Sequence, residues 1–184
     1  MINHILVAIW FFLPAAAANV TPIFLAKIMG SRFNTPIDFN KTWRGKPIFG
    51  RNKTWRGLIG GIFVATLVLW LQITWSENPG WAGSLFDEIG YHRVNVWLIG
   101  PLFAIGALGG DAIESFIKRR IGKKSGDPWF PFDQIDYVIG ASLITLPLVE
   151  LPWYLYIYIL VIWSFISLVS SWLGHKMKLK DVPH

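Results

Sequence analysis

Asp111, Glu114, Ser115 and Lys118 fall at i, i+3, i+4 and i+7, so a helix through them carries two acids, a hydroxyl and a cation on one face. Asp133 and Asp136 repeat the i, i+3 spacing a short way on. The first group closes one apolar run and the second opens the next. Carboxylates are costly in hydrocarbon and persist there mostly where they serve ions, protons or substrate. With no Cys in the chain and no His nearby, Asp111, Glu114, Asp133 and Asp136 offer oxygen ligands only. Such a set suits a hard ion such as Mg²⁺, which keeps water and contacts substrate phosphates. Lys118, Arg119, Lys123 and Lys124 stand among these acids, and cations mixed with carboxylates suit metal and phosphate held together. The bland alternatives are an Asp–Lys pair closing a helix end, and Asp133 capping free N–H groups at a helix start.

A second candidate lies in the basic loop Gly45–Gly57. It lacks the GxxxxGK[ST] spacing of a nucleotide-triphosphatase loop. Gly50 followed by Asn52, Lys53 and Thr54 at a helix start nevertheless offers a cation, a hydroxyl and backbone N–H groups to an anion. A loop that only sets topology would carry the same charges. Lys41-Thr-Trp-Arg-Gly45 recurs as Lys53-Thr-Trp-Arg-Gly57, an offset too short for a repeated fold unit. Gly106, Gly109 and Gly110 precede the acidic stripe, and their first reading is close helix packing. The four His are scattered towards helix ends and tails. No HExxH or Ser–His–Asp arrangement appears, so hydrolysis by those routes has no support.

The elements that must position these residues are membrane helices. The 184 residues are 53% hydrophobic and only 15% charged, below the roughly 25% usual in soluble domains. Five spans are expected: about 5–28 with Pro14 and Pro22 inside, 58–75, 94–117, 135–149 and 153–173. The third is roughly 35 Å long, enough to cross with tilt. Residues 146–152 must turn, because 137–173 as one helix would run about 55 Å. A four-span chain with a long tilted last helix is the alternative. The first run lacks the positive start of a secretory signal and reads as an ordinary span. The whole of 1–184 therefore reads as a single integral membrane domain, an all-α polytopic bundle.

Sixteen of the seventeen Lys and Arg fall in three segments, around 27–56, 118–124 and 176–180, leaving Arg93 alone in the loop 76–93. The positive-inside rule puts those three in the cytoplasm and that loop outside. The N-terminus is then outside and the C-terminus cytoplasmic, which requires an odd number of spans. The net charge of +6 is explained by orientation in the bilayer and calls for no nucleic acid.

Ser115, Lys118-Arg119, Lys124 and Asp133-Gln-Ile-Asp136 resemble, in order, the signature of the CTP-dependent phosphatidate cytidylyltransferases, the CDP-diacylglycerol synthases. Ser125 and Gln134 depart from it, standing where that pattern has Asp and Arg. A five-span chain with Gly50-Arg-Asn-Lys-Thr-Trp-Arg-Gly57 leading into its second helix is more similar to the archaeal CDP-archaeol synthases. That resemblance implies a Mg²⁺-dependent nucleotidyltransferase of archaeal phospholipid biosynthesis in the cell membrane, its site facing the cytoplasm. It implies transfer of CMP from CTP to unsaturated archaetidic acid, an isoprenoid diether of glycerol phosphate, with release of pyrophosphate. CTP would meet Asn52, Lys53, Thr54, Ser115, Lys118, Lys123 and Lys124. Asp111, Glu114, Asp133 and Asp136 would hold metal, and Asp111, Lys118, Asp133 and Asp136 would stabilise charge developing in transfer. A small ion or phosphate transporter using the same acids is the rival, disfavoured because the charges gather at one face. A CDP-alcohol phosphotransferase is disfavoured because no Asp-Gly-x-x-Ala-Arg run is present.

Overall fold

The computed structural model describes residues 2–76, 89–90 and 94–176. Five helices are formed among them: α1 (Ile2–Met29), α2 (Trp55–Ser76), α3 (Val96–Arg120), α4 (Phe132–Thr145) and α5 (Trp153–Lys176). A helix is formed at each of the five expected stretches, with shifted ends: α4 starts three residues earlier and stops at Thr145 rather than 149. The acidic loop assigned to the outside lies almost wholly outside the described residues, as does most of the basic C-terminal tail. Four of the helices are long and apolar enough to cross a membrane, and the chain is a multi-pass membrane protein. The fifth, α4, has 14 residues, about 21 Å against a hydrocarbon core of about 30 Å.

Helix α1 is the hub, packing on each of the other four, while α2, α3, α4 and α5 touch one another in chain order. Its buried face alternates small and large residues. Ala8, Ala15 and Ala18 let neighbours approach, and Phe11 and Phe12 fill the space between. Phe11 meets Phe103 of α3, and Phe12 meets Tyr137 of α4 and Trp163 of α5, with centroids 5.2, 5.9 and 5.7 Å apart. Polar side chains tie helices through backbone carbonyls: Gln72 Nε2 donates to Trp10 O at 2.6 Å, and Trp163 Nε1 to Ala8 O at 3.2 Å. In hydrocarbon such groups need a partner, so these bonds fix which helix faces which. His4 packs on Tyr154 and Tyr158 as interfacial filler.

The chain breaks between α4 and α5, and the two helices pack on each other. A single long last helix is thereby excluded. Buried Thr145 closes α4, its carbonyl accepting the N–H groups of Leu148 and Val149.

The loop before α2 holds a small hairpin, β1 (Thr42–Trp43) and β2 (Lys46–Pro47). Its two linking residues, Arg44 at φ 52° and Gly45 at φ 74°, both adopt left-handed backbone, as a type I′ loop demands. Trp43 stacks on Phe116 of α3 at 5.4 Å, and Arg120 donates to the carbonyls of Trp43, Lys46 and Pro47. The hairpin is thus seated on the basic end of α3. The two Lys-Thr-Trp-Arg-Gly copies have different structures, the first a hairpin and the second a helix start, so the repetition is not structural.

Candidate active site

The close approach of α3 and α4 brings the acids together. A Cβ added to Gly106 would lie 2.6 Å from Ala141 Cα, and one on Gly110 would collide with the Asp136 carbonyl. Gly140 faces the same seam from α4, against the backbone of Gly106 and Gly110. Only missing side chains permit this approach, and it sets Asp111, one residue after Gly110, beside Asp136. Gly106 and Gly110 therefore have the packing role expected of them, whereas Gly109 meets nothing within 4 Å.

Asp111, Glu114 and Asp136 each direct a carboxylate oxygen to within 4.8 Å of the others. Glu114 is only 6% exposed, and its Oε1 is buried with no hydrogen bond donated to it, although Lys118 Nζ stands 3.2 Å away. Three converging oxygen ligands, one of them lacking a hydrogen bond, fit a hard divalent cation. Asp133 adjoins Glu114 but is not one of this trio. Its Oδ1 accepts from Lys118 Nζ at 2.6 Å and its Oδ2 from the Trp129 N–H at 2.5 Å. It does not cap its own helix. It orders the residues leading into α4 and neutralises Lys118.

Two lysines interleave with the carboxylates. Lys118 bridges Glu114 and Asp133, and Lys53, from the loop before α2, donates to both oxygens of Asp111 at 2.6 Å. The basic loop and the acidic stripe, 58 residues apart in sequence, therefore form one site. Thr54 caps α2, its Oγ1 accepting the Gly57 N–H at 3.2 Å, and the Trp55 N–H bonds to Thr35 O. Those two N–H groups are thus used within the fold, and the loop offers side chains to the site rather than an open helix end.

A cavity of about 1050 Å³ encloses these groups. Asn52, Lys53, Thr54, Ser115, Lys118 and all four acids line it. Pro22, Ile23 and Ala26 of α1 add an apolar wall, and Ser167 and Ser171 a polar edge from α5. A second cavity of about 610 Å³ adjoins it, sharing Arg51, Asn52, Arg119 and Ser125, and it is here that Lys123 and Lys124 lie. The sequence-derived nucleotide set is thus distributed over two connected hollows. Lys41 lines neither.

Several contributors escaped the sequence reading. Buried Asp38 accepts the N–H groups of Asn40, Phe49 and Gly50, shaping the strip from which Asn52 and Lys53 project. Arg56 donates to Gly30 O, Arg32 O and Asn34 Oδ1, binding the end of α1 to α2. Asp127 Oδ2 takes the Lys124 N–H at 2.6 Å, and Lys123 Nζ donates to Pro128 O. Asp38 and Asp127 sit in loops and Arg56 in the first turn of α2, with no periodicity to mark them. Asp38 alone carried a signal, an isolated acid in an otherwise basic segment.

Residues 1–184 match the family model of CarS-like CDP-archaeol synthase. The chain belongs to the CDP-archaeol synthase family. It is 39% identical to the CDP-archaeol synthase of Pyrococcus abyssi over 182 residues, covering 98% of this chain and 99% of that one. It is 31% identical to that of Methanocaldococcus jannaschii, over 95% of this chain and 94% of the relative. A solved structure described as an intramembrane enzyme for archaeal membrane lipids biosynthesis superposes with a TM-score of 0.69 at 26% identity, covering 89% of this chain and 91% of the other. Membership over the full length makes the chain an intramembrane CDP-archaeol synthase of archaeal lipid biosynthesis and leaves the transporter reading without support.

Proposed function

We propose that residues 1–184 form one catalytic domain that transfers CMP from CTP to unsaturated archaetidic acid in the membrane, giving CDP-archaeol and pyrophosphate. The observation that carries the reading is the interleaving of Asp111, Glu114 and Asp136 with Lys53 and Lys118 in one cavity that also has an apolar wall. A triphosphate needs cations, a metal needs the acids, and a lipid needs the wall. Asp111, Glu114 and Asp136 would hold Mg²⁺, with Asp133 acting through Lys118. When bound, Mg²⁺ would screen the triphosphate and the charge gathering on the leaving pyrophosphate.

An oxygen of the lipid phosphate attacks the α-phosphorus of CTP. A new P–O bond forms to the lipid as the bond to the β-phosphate oxygen breaks, and pyrophosphate carries the electron pair away. The attacking oxygen is already anionic, so no general base and no covalent enzyme intermediate are required. Lys53 and Lys118 hold and screen the phosphates, Ser115 and Asn52 add hydrogen bonds, and Lys123 and Lys124 meet the nucleotide in the adjoining hollow. Catalysis then rests on positioning and on fixed charge in a partly dry site.

In the bilayer the chain is proposed to make five spans, with the N-terminus outside and the C-terminus and site on the cytoplasmic side. Charge bias supports that orientation. The short α4 would span together with the turn 146–152 and local thinning of the bilayer. The deciding assay is purified protein with radiolabelled CTP, Mg²⁺ and the diether lipid phosphate. A labelled CDP-lipid, together with pyrophosphate in equal amount, is expected. Absence of CDP-lipid from folded protein under those conditions sinks the reading.

A further inference from the structure

Lys53 and a divalent cation compete for the same carboxylate. Lys53 Nζ stands 2.6 Å from both Oδ1 and Oδ2 of Asp111, a carboxylate that also belongs to the converging trio. A metal ligated there at about 2.0–2.1 Å would put a double positive charge within a few ångströms of the ammonium, where like charges repel strongly. One must yield. The two lysines of the cluster differ in their freedom to do so. Lys118 is 8% exposed, lies within α3 and bridges two acids, whereas Lys53 is 19% exposed and holds one acid from a loop.

The backbone under Lys53 is pinned, with Lys53 O accepting the Ile37 N–H and the next residue capping α2. Any movement is therefore left to the four-carbon side chain, which lines the cavity together with Asn52, Ser115, Lys118 and Arg119. Formal charge agrees. With all four ionised, Asp111, Glu114, Asp133 and Asp136 would carry four formal negative charges against two from Lys53 and Lys118, so a divalent ion would bring the cluster to formal neutrality. It also leaves Lys53 without its acid.

We propose that Lys53 is an exchangeable counter-ion: it holds Asp111 until a divalent cation takes that carboxylate, and the released ammonium then grips the phosphates of the nucleotide. This rests on the reading of Asp111, Glu114 and Asp136 as the metal ligands. The exchange makes metal and nucleotide binding mutually dependent, since each binds better once the other has settled where Lys53 points. It assigns Lys53 two partners in sequence, beyond a simple phosphate contact.

The test measures Mn²⁺ binding by electron paramagnetic resonance, with the full chain in detergent and no nucleotide present. Lys53→Met removes the competitor, so Mn²⁺ should bind about tenfold more tightly than to the parent (1.4 kcal/mol), although a phosphate ligand has been lost. Lys53→Arg, which keeps a cation for Asp111, should gain nothing. CTP should tighten Mn²⁺ binding to the parent by more than it does for Lys53→Met. Asp111→Asn separates the two ideas. If it binds Mn²⁺ like the parent, the metal assignment is wrong and the exchange falls with it. If it loses Mn²⁺ while Lys53→Met binds like the parent or more weakly, the exchange alone is overturned. A measurement on the unaltered protein guards against misfolded variants: acylation of Lys53 by an amine-reactive ester, followed by mass spectrometry. Mg²⁺ should increase modification of Lys53 and added CTP should suppress it, and no response to Mg²⁺ at constant ionic strength overturns the proposal.

Discussion

Gly110→Ala isolates the element that gathers the acids without substituting any of them. Its new Cβ would stand 2.9 Å from Asp136 C and 3.2 Å from Gly140 Cα, and closer still to the Asp136 carbonyl oxygen. Ordinary carbon contacts are about 3.5–4.0 Å, so α3 and α4 must separate by roughly 1 Å at this level. Overpacking of this kind costs about 1–3 kcal/mol. The same displacement moves Asp111 away from Asp136 inside the site, and a misplacement of about 1 Å can lower turnover on the order of a hundredfold. Gly109→Ala is the matched control, because nothing lies within 4 Å of a Cβ there and Ala is the better helix former. Both variants would be assayed for CDP-lipid formation at saturating CTP and lipid, and for thermal unfolding in the same detergent. The expected result is a large fall in kcat with a lower melting temperature for Gly110→Ala, and near-parent values for Gly109→Ala. Parent-like turnover in Gly110→Ala would refute the view that the glycine seam sets the carboxylate geometry.

Asp111→Asn and Asp136→Asn should each keep the fold and cut turnover by about a hundredfold or more, as expected for lost charge stabilisation; near-normal activity of Asp136→Asn at saturating Mg²⁺ would remove it from the ligand set. Lys53→Ala should raise the KM for CTP roughly ten- to hundredfold, the loss of one charged contact of about 1.5–3 kcal/mol, while Lys41→Ala, whose side chain lines neither cavity, should not. Equal CTP constants for these two variants would take the loop out of the site. In the Cys-free chain, Ser84→Cys should react with a membrane-impermeant thiol reagent from outside intact cells and Ser125→Cys should not; the reverse pattern would invert the orientation and move the proposed site to the outer face.

The elements that hydropathy and helical period determine were legible, because the bilayer leaves backbone few alternatives. Long apolar runs must become helices, and residues 146–152 had to turn since no helix of about 55 Å fits the core. The stripe Asp111, Glu114 and Lys118 was legible for the same reason: in a helix, spacing is geometry. The structure keeps Glu114 and Lys118 within 3.2 Å, as i, i+4 requires. What spacing does not contain is which loop crosses to which helix. The pairing of Lys53 with Asp111 depends on Asp38 gathering three N–H groups and on Arg120 fastening the hairpin to α3, local contacts that leave no periodic trace.

The partition of the acids follows from the same limit. Asp133 and Asp136 share one spacing and read as equivalent, yet a helix turns about 300° over three residues, so i and i+3 point some 60° apart. At the crossing of α3 with α4 that angle is decisive. Asp136, one turn inside α4 and opposite Gly110, faces Asp111 and Glu114, whereas Asp133, at the helix mouth, reaches back to the Trp129 N–H and across to Lys118. Two acids on one helix thus stand in different surroundings, one in the cluster suited to metal and the other on the lysine beside it. Asp133→Asn should accordingly change the affinity for CTP, through a loosened Lys118, by more than it changes the affinity for Mn²⁺, and Asp136→Asn should do the opposite. Nucleotide and Mn²⁺ titrations on the two variants check the division, and the same ranking of losses in both would show that the acids act as one set after all.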